Sequence, residues 1–128
     1  MELQPKRPSA RGPAEWFTGE VWIDGLAESP GPSSWGMSLV HFTPGARTAW
    51  HRHANGQTFY VAEGEGRTQA RGGDVIAIRP GHVVQTLGNE WHWHGAAPDH
   101  FMSHFSITEG RTEWGEHVTD AEYGAPAA

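Results

Sequence analysis

The residues best suited to chemistry in this chain are its histidines. There are nine, as many as Lys and Arg together, and no cysteine. His51 and His53 stand two apart in Trp50-His51-Arg52-His53, so in an extended strand both imidazoles project from the same face. Gln57 follows beyond an Asn55-Gly56 turn, which would fold the next strand back and return the amide to the histidine pair. A second His-x-His, His92 and His94, lies far along the chain, and His100, Met102 and His104 form a third set sharing one strand face. Three imidazoles and one amide oxygen converging in a protein interior would bind a divalent transition ion: manganese, iron, cobalt, nickel, copper or zinc. A lone His-x-His is usually a pair of polar side chains on an exposed strand face; two pairs plus further histidines in a Cys-free chain favour a metal site.

Such ligands must be held by a scaffold, and the chain points to short strands. It has 17 Gly and 9 Pro in 128 residues, and turn signals recur every several residues. No long segment carries apolar residues at helical spacing. Strands are expected over 20–24, 36–42, 48–53, 57–62, 66–71, 75–79, 83–87, 92–94 and 100–108. Thr119-Asp120-Ala121-Glu122 is expected to cap one short helical turn. The length allows one domain. Residues 1–14, rich in Pro and basic residues, are expected as a mobile arm, 15–123 as the domain and 124–128 as a frayed end. Leu is scarce, and seven Trp supply the bulk for a small core.

Composition also excludes partners. The formal net charge is −6 and the isoelectric point near 5.8, which disfavours a nucleic-acid surface. No apolar run reaches the length of a membrane span, and the first residues carry no apolar stretch of the kind a secretion signal needs. A cytoplasmic protein acting on a small molecule is expected. Exposed strand edges and surplus aromatics point to a homodimer or homotetramer.

The spacing Gly45-x5-His51-x-His53-x3-Gln57-x6-Gly64 resembles the first cupin motif, with Gln57 where the usual acidic ligand stands. Gly81 followed by His92 matches the second motif, in which His92 rather than His94 has the ligand spacing. That motif is altered: Leu87 stands for its Pro, Asn89 for its second Gly and Ala96 for its final Asn. The resemblance implies an all-β fold, a small β-barrel of the cupin type (double-stranded β-helix or jelly roll). Pro44-Gly45, Ala49-Trp50-His51, Gly56-Gln57-Thr58, Arg79-Pro80-Gly81, His92-Trp93-His94-Gly95-Ala96 and Glu116-His117-Val118-Thr119-Asp120 are similar to the small single-domain bacterial cupins that include manganese-dependent hydroxynitrile lyases.

That resemblance implies a metal, manganese before iron, nickel, cobalt or zinc, held by His51, His53, Gln57 and His92. It implies a proton carrier at His104 and pocket positions at Ser38, Val40 and Thr108. Ser38 and Thr108 depart from the lyases, which carry a small apolar residue and an amide there. By strand parity Phe59, Met102 and Ser106 join the pocket wall, and His94 either lines the pocket, bonds a ligand or packs. Trp91 and Trp93 should face away from the metal. An uncharged amide leaves the ion its full 2+, which suits Lewis-acid chemistry. Three functions are compatible: a lyase cleaving or forming cyanohydrins, a dioxygenase or isomerase of an enolisable or aromatic substrate, and a non-catalytic metal-bearing binding module.

Overall fold

The computed structural model describes residues 1–128. Thirteen strands precede one helical turn: β1 (Ala10–Arg11), β2 (Phe17–Thr18), β3 (Val21–Glu28), β4 (Trp35–Phe42), β5 (Arg47–Thr48), β6 (His51–His53), β7 (Gln57–Gly64), β8 (Gly66–Ala70), β9 (Ile76–Ile78), β10 (Val83–Thr86), β11 (His92–Ala96), β12 (Met102–Glu109), β13 (Thr112–Trp114) and α1 (Asp120–Tyr123). They form two sheets, one in the order β1-β3-β4-β12-β7-β10 and one in the order β13-β6-β11-β5-β2, with β8 on the other edge of β11 and β9 beyond it. This is the expected all-β barrel of cupin type. All the pairings are antiparallel.

The strands expected from the sequence are present with shifted ends. The segment 48–53 is two short strands, β5 and β6, pairing β11 at Gly95↔Arg47 and His92↔His51. Three strands of two or three residues, β1, β2 and β13, were not expected, because such short stretches carry too few alternating positions to read. Ala10–Arg11, inside the segment expected as an arm, pairs β3 at the edge of the first sheet. Thr119 caps α1 with a full capping box: its side chain accepts from Glu122 N while the Glu122 carboxylate accepts from Thr119 N.

The inner faces of the sheets meet in a core of Phe17, Val21, Val40, Phe42, Phe59, Val61, Ile78 and Met102. A second cluster of Trp50, Val75, Trp93, Val118 and Tyr123 sits on the other face of β11. Alternation along β11 thus turns Trp93 away from His92 and His94, as expected. The C-terminal segment covers this cluster and is tied down by Arg47, which donates to Val118 O and Asp120 Oδ1, both at 2.8 Å, and by Tyr123 Oη, which donates to Ala96 O.

Two backbone positions matter for the site. Gly56, at φ 88°, makes the β6–β7 turn, and a Cβ there would lie 2.5 Å from Thr86 O. Asn89, where the second motif has Gly, also takes a left-handed φ of 60°. Asn tolerates that region better than other side chains, so it suits the left-handed turn found here.

Candidate metal centre

β6 presents His51 and His53, the Gly56 turn returns the chain so that Gln57 opens β7, and β11 brings His92 opposite His51. All four are buried. Ring nitrogens of His51, His53 and His92 lie within 4.8 Å of one another. The Gln57 Oε1 is 3.0 Å from His92 Nε2. The four residues implied as ligands are therefore assembled at one place.

The proton inventory tests whether they suit a cation. His51 Nδ1 donates to Ala49 O and His92 Nδ1 to Glu90 O, each at 2.9 Å, while His53 Nδ1 lies 2.8 Å from Thr112 Oγ1. These bonds orient the rings and fix the proton on Nδ1 of His51 and His92, leaving Nε2 as a lone pair. His53 Nε2 is buried with no partner. Gln57 Nε2 donates to Ser106 Oγ at 2.7 Å, which turns Oε1 toward His92. A neutral His92 has one proton for two acceptors, Glu90 O and Gln57 Oε1, so one contact sets a lone pair against a carbonyl oxygen. Burial holds His92 below the usual imidazole range, against the raising effect of Glu90, so a second proton is disfavoured. A cation between Nε2 and Oε1 removes the conflict. Burial likewise pushes His51 well down, and His53 to about 4. The donor set fits a borderline divalent ion.

A cavity of about 170 Å³ opens beside this cluster. His53, Gln57, His94 and His104 line it, with Ser38, Val40, Ser106 and Thr108 from the first sheet. Thr48, Thr112, Phe17, Ile23, Phe42 and Trp114 complete the lining. Phe59 and Met102, expected in the wall, correct that reading: neither lines the cavity. Both stand in rows that reach the cavity, Phe59 opposite Ser106 and Met102 opposite Phe42, but their side chains are taken up by packing beside it. The Phe59 ring packs 4.5 Å from that of His104, and Met102, fully buried, belongs to the same apolar cluster. Parity specifies the face of a strand and says nothing about which side chains of a row border the cavity and which pack beside it.

His94 and His104 face each other, with His104 Nε2 and His94 Nδ1 2.9 Å apart. A bulge, with Ala62 as the extra residue on β7, shifts the register beside His104. Burial pushes His94 well below its ordinary value and His104 to about 3, so both are neutral. Their outer atoms, His94 Nε2 and His104 Nδ1, are buried without partners. Whichever ring donates the shared bond, one outer atom carries a proton and the other a lone pair. Uptake of a proton at the outer lone pair, passage of the shared proton across the bond and release of the proton at the other outer atom exchange the two roles.

The chain belongs to the cupin family. Residues 38–107 match the family model described as a cupin domain. The chain is 50% identical over 119 residues to an (R)-mandelonitrile lyase of Granulicella tundricola, covering 90% of this chain and 91% of that one. It is also similar to a cupin-like protein of Thermotoga maritima, at 37% identity and a TM-score of 0.86, covering 96% and 95% of the two chains. A putative acetylacetone dioxygenase of Methylibium petroleiphilum shares the fold, with a TM-score of 0.68 at 19% identity over 100% and 89% of the chains.

The sequence left three contributors to this cupin site unread. Thr112 holds His53, and Trp114 stacks on His51 with ring centroids 4.7 Å apart and continues to Trp16 at 5.0 Å. Both lie on β13, whose three residues gave no pattern. The bond from Gln57 to Ser106 was the third, since parity placed Ser106 on the inner face without naming its partner. Of the other histidines, His41 bridges Ser103 and Asp24, His82 accepts from Arg79 N in a turn, and His100 and His117 are exposed.

Proposed function

We propose that this cupin is a manganese-dependent lyase that cleaves and forms cyanohydrins, with His51, His53, Gln57 and His92 as the metal ligands and His104 as the proton carrier. The observation that carries the reading is the neutral His94–His104 pair, with its unpartnered nitrogens, in the cavity wall beside a three-His, one-Gln set. The 50% identity to a mandelonitrile lyase supports it. A bound divalent ion supplies Lewis acidity that makes a substrate hydroxyl a stronger acid.

The chain's own residues do the rest. Gln57 contributes no negative charge to the ligand set, so the ion's acidifying effect is undiminished. A neutral imidazole of the His94–His104 pair accepts the hydroxyl proton as the C–C bond breaks and the electron pair leaves with cyanide. The same pair returns a proton to cyanide, giving aldehyde and hydrogen cyanide. Phe17, Phe42 and Trp114 give the cavity an aromatic side where an aryl group can pack. The test is metal analysis of the purified protein, then cyanide release from mandelonitrile before and after chelation. Release that chelation abolishes and manganese restores is expected. A metal-loaded protein releasing no cyanide sinks the reading.

We also place the protein in the cytoplasm, as a homodimer or homotetramer. No helix is long and apolar enough to cross a membrane. Tyr60, Val83, Phe105 and Ile107 lie exposed together on the outer face of the first sheet, where Tyr60 pairs both Val83 and Phe105. Such a patch supports self-association. A sedimentation mass of one chain would contradict this.

A further inference from the structure

Ser106 is almost completely buried, at 4% exposure, and its hydroxyl has an unusual constraint. Its Oγ accepts from Gln57 Nε2 at 2.7 Å, so its proton must point elsewhere. The side chain makes no other hydrogen bond within the protein, and it lines the cavity. A buried hydroxyl proton without a protein acceptor is costly, so the group that accepts it belongs in the cavity. Ser38 lies directly opposite Ser106 in the β4–β12 pairing, where facing Cβ atoms are about 4.5–5.5 Å apart. Ser38 also lines the cavity, and its side chain makes no hydrogen bond within the protein. The next position on that face of β12 is Thr108, which pairs Gln57. The hydroxyls therefore form a polar strip leading to the Gln57 ligand, whereas Ile23, Val40 and Phe42 lie farther along the inner face.

We propose that Ser106 and Ser38 form a donor subsite for the second polar group of a small 2-hydroxy ligand, the hydrogen-bond acceptor on the carbon that bears the hydroxyl. This rests on the reading of the cavity as a hydroxynitrile site, where that acceptor is the nitrile nitrogen. A nitrile is a rigid rod directed away from the hydroxyl, so the groups that hold the oxygen cannot also reach the nitrogen. A separate donor is required, and Ser106 is held in place as one by its bond from Gln57. In cleavage the carbon–carbon electron pair moves onto cyanide, and hydroxyl donors at its nitrogen stabilise the developing charge. Ser106 is then a catalytic residue, because it touches the leaving group, and the substrate class is fixed by the acceptor as well as by the hydroxyl.

The test uses two neutral, unreactive ligands of similar shape. Lactamide carries the acceptor, and 3-methylbutan-2-ol has an isopropyl group in its place. Binding of each to the manganese-loaded protein is measured by calorimetry, for the native chain, Ser38→Ala and Ser106→Ala, with metal content checked in each. The native protein is expected to prefer lactamide by about tenfold, the reach of one or two neutral hydrogen bonds. Each variant is expected to lose most of that preference. Ser38→Ala is the cleaner variant, because Ser38 does not hold Gln57. A preference that survives in Ser38→Ala and Ser106→Ala, equal binding of the two ligands, or binding of neither overturns the proposal. Cyanide release from lactonitrile is measured alongside. No cyanide with the lactamide preference intact would sink the lyase reading and leave the subsite standing.

Discussion

His51, His53 and His92 differ from His94 and His104 in what their nitrogens face, although all five rings are buried and held neutral by burial. Each of the first three commits Nδ1 to a backbone carbonyl or a hydroxyl and leaves Nε2 for a shared point. The other two commit one nitrogen to each other. A ring anchored from outside the cluster is a good ligand, because its lone pair has a fixed direction. A ring anchored to its twin is a good proton carrier, because its tautomer can change without moving the ring. Burial supplies the neutrality that both roles need; the second nitrogen separates them.

The largest effect tests what the two groups share. Every one of these imidazoles titrates below 6.5 in the folded protein, while the unfolded chain takes up protons at about 6.5. Their stabilisation is present above pH 6.5. It is lost as pH falls from there toward the folded values, about 4 for His53 and about 3 for His104. Each group adds up to about 1.4 kcal/mol per pH unit within that window. The metal-free protein should therefore show a melting temperature that falls steeply from pH 7 to pH 5. A flat profile over that range would contradict the buried, neutral assignment of all five.

The division itself is broken by two substitutions. His51→Ala should leave a folded protein that has lost most of its metal by elemental analysis, whereas His104→Ala should retain it. Full occupancy in His51→Ala would remove it from the ligand set. In His104→Ala, cyanohydrin cleavage should fall by about 10²–10⁴-fold in kcat, the usual contribution of a general acid–base group. A change confined to KM would mean that His104 only positions substrate.

The proposed ligand half was far more legible in the sequence than the proposed carrier half. His51, His53 and Gln57 are close in the chain and separated by a readable Asn-Gly turn, so local geometry predicts their meeting. His92 needed the family spacing, because its distance from Gly81 has meaning only within a known fold. The partnership of His94 and His104 depends on β11 and β12, which belong to different sheets, and on a bulge at His104. Neither has a local signature. Phe59 and Met102 show a related limit: they pair with Ser106 and Phe42, which line the cavity, yet their own side chains pack into the apolar core beside it. Asn89 shows the reverse case: an altered motif residue at a left-handed φ, a region that Asn accepts more readily than other side chains.

Thr112 sharpens the comparison with a smaller effect. Among the three histidines of the ligand half, His53 alone is anchored by a side chain, that of Thr112, since His51 and His92 bond backbone carbonyls. Thr112 lies directly across from His53 in the β13–β6 pairing, and its Oγ1 meets Nδ1 at 2.8 Å. Thr112→Val keeps the branched shape and the strand preference and removes only the hydroxyl. His53 would keep its place in β6, but its buried Nδ1 would have no partner, and neither the tautomer nor the ring direction would be fixed. Metal affinity should fall by about 10–100-fold, the range found for residues that orient a metal's ligands. The site should keep its cavity and the His94–His104 pair, so kcat at saturating manganese should change far less than in His104→Ala. Competition against a chelator of known affinity measures the first quantity, and cyanide release at high manganese the second. Unchanged affinity in Thr112→Val would mean that the strand alone aims His53, and that an anchored Nδ1 is not what distinguishes a ligand from a carrier in this site.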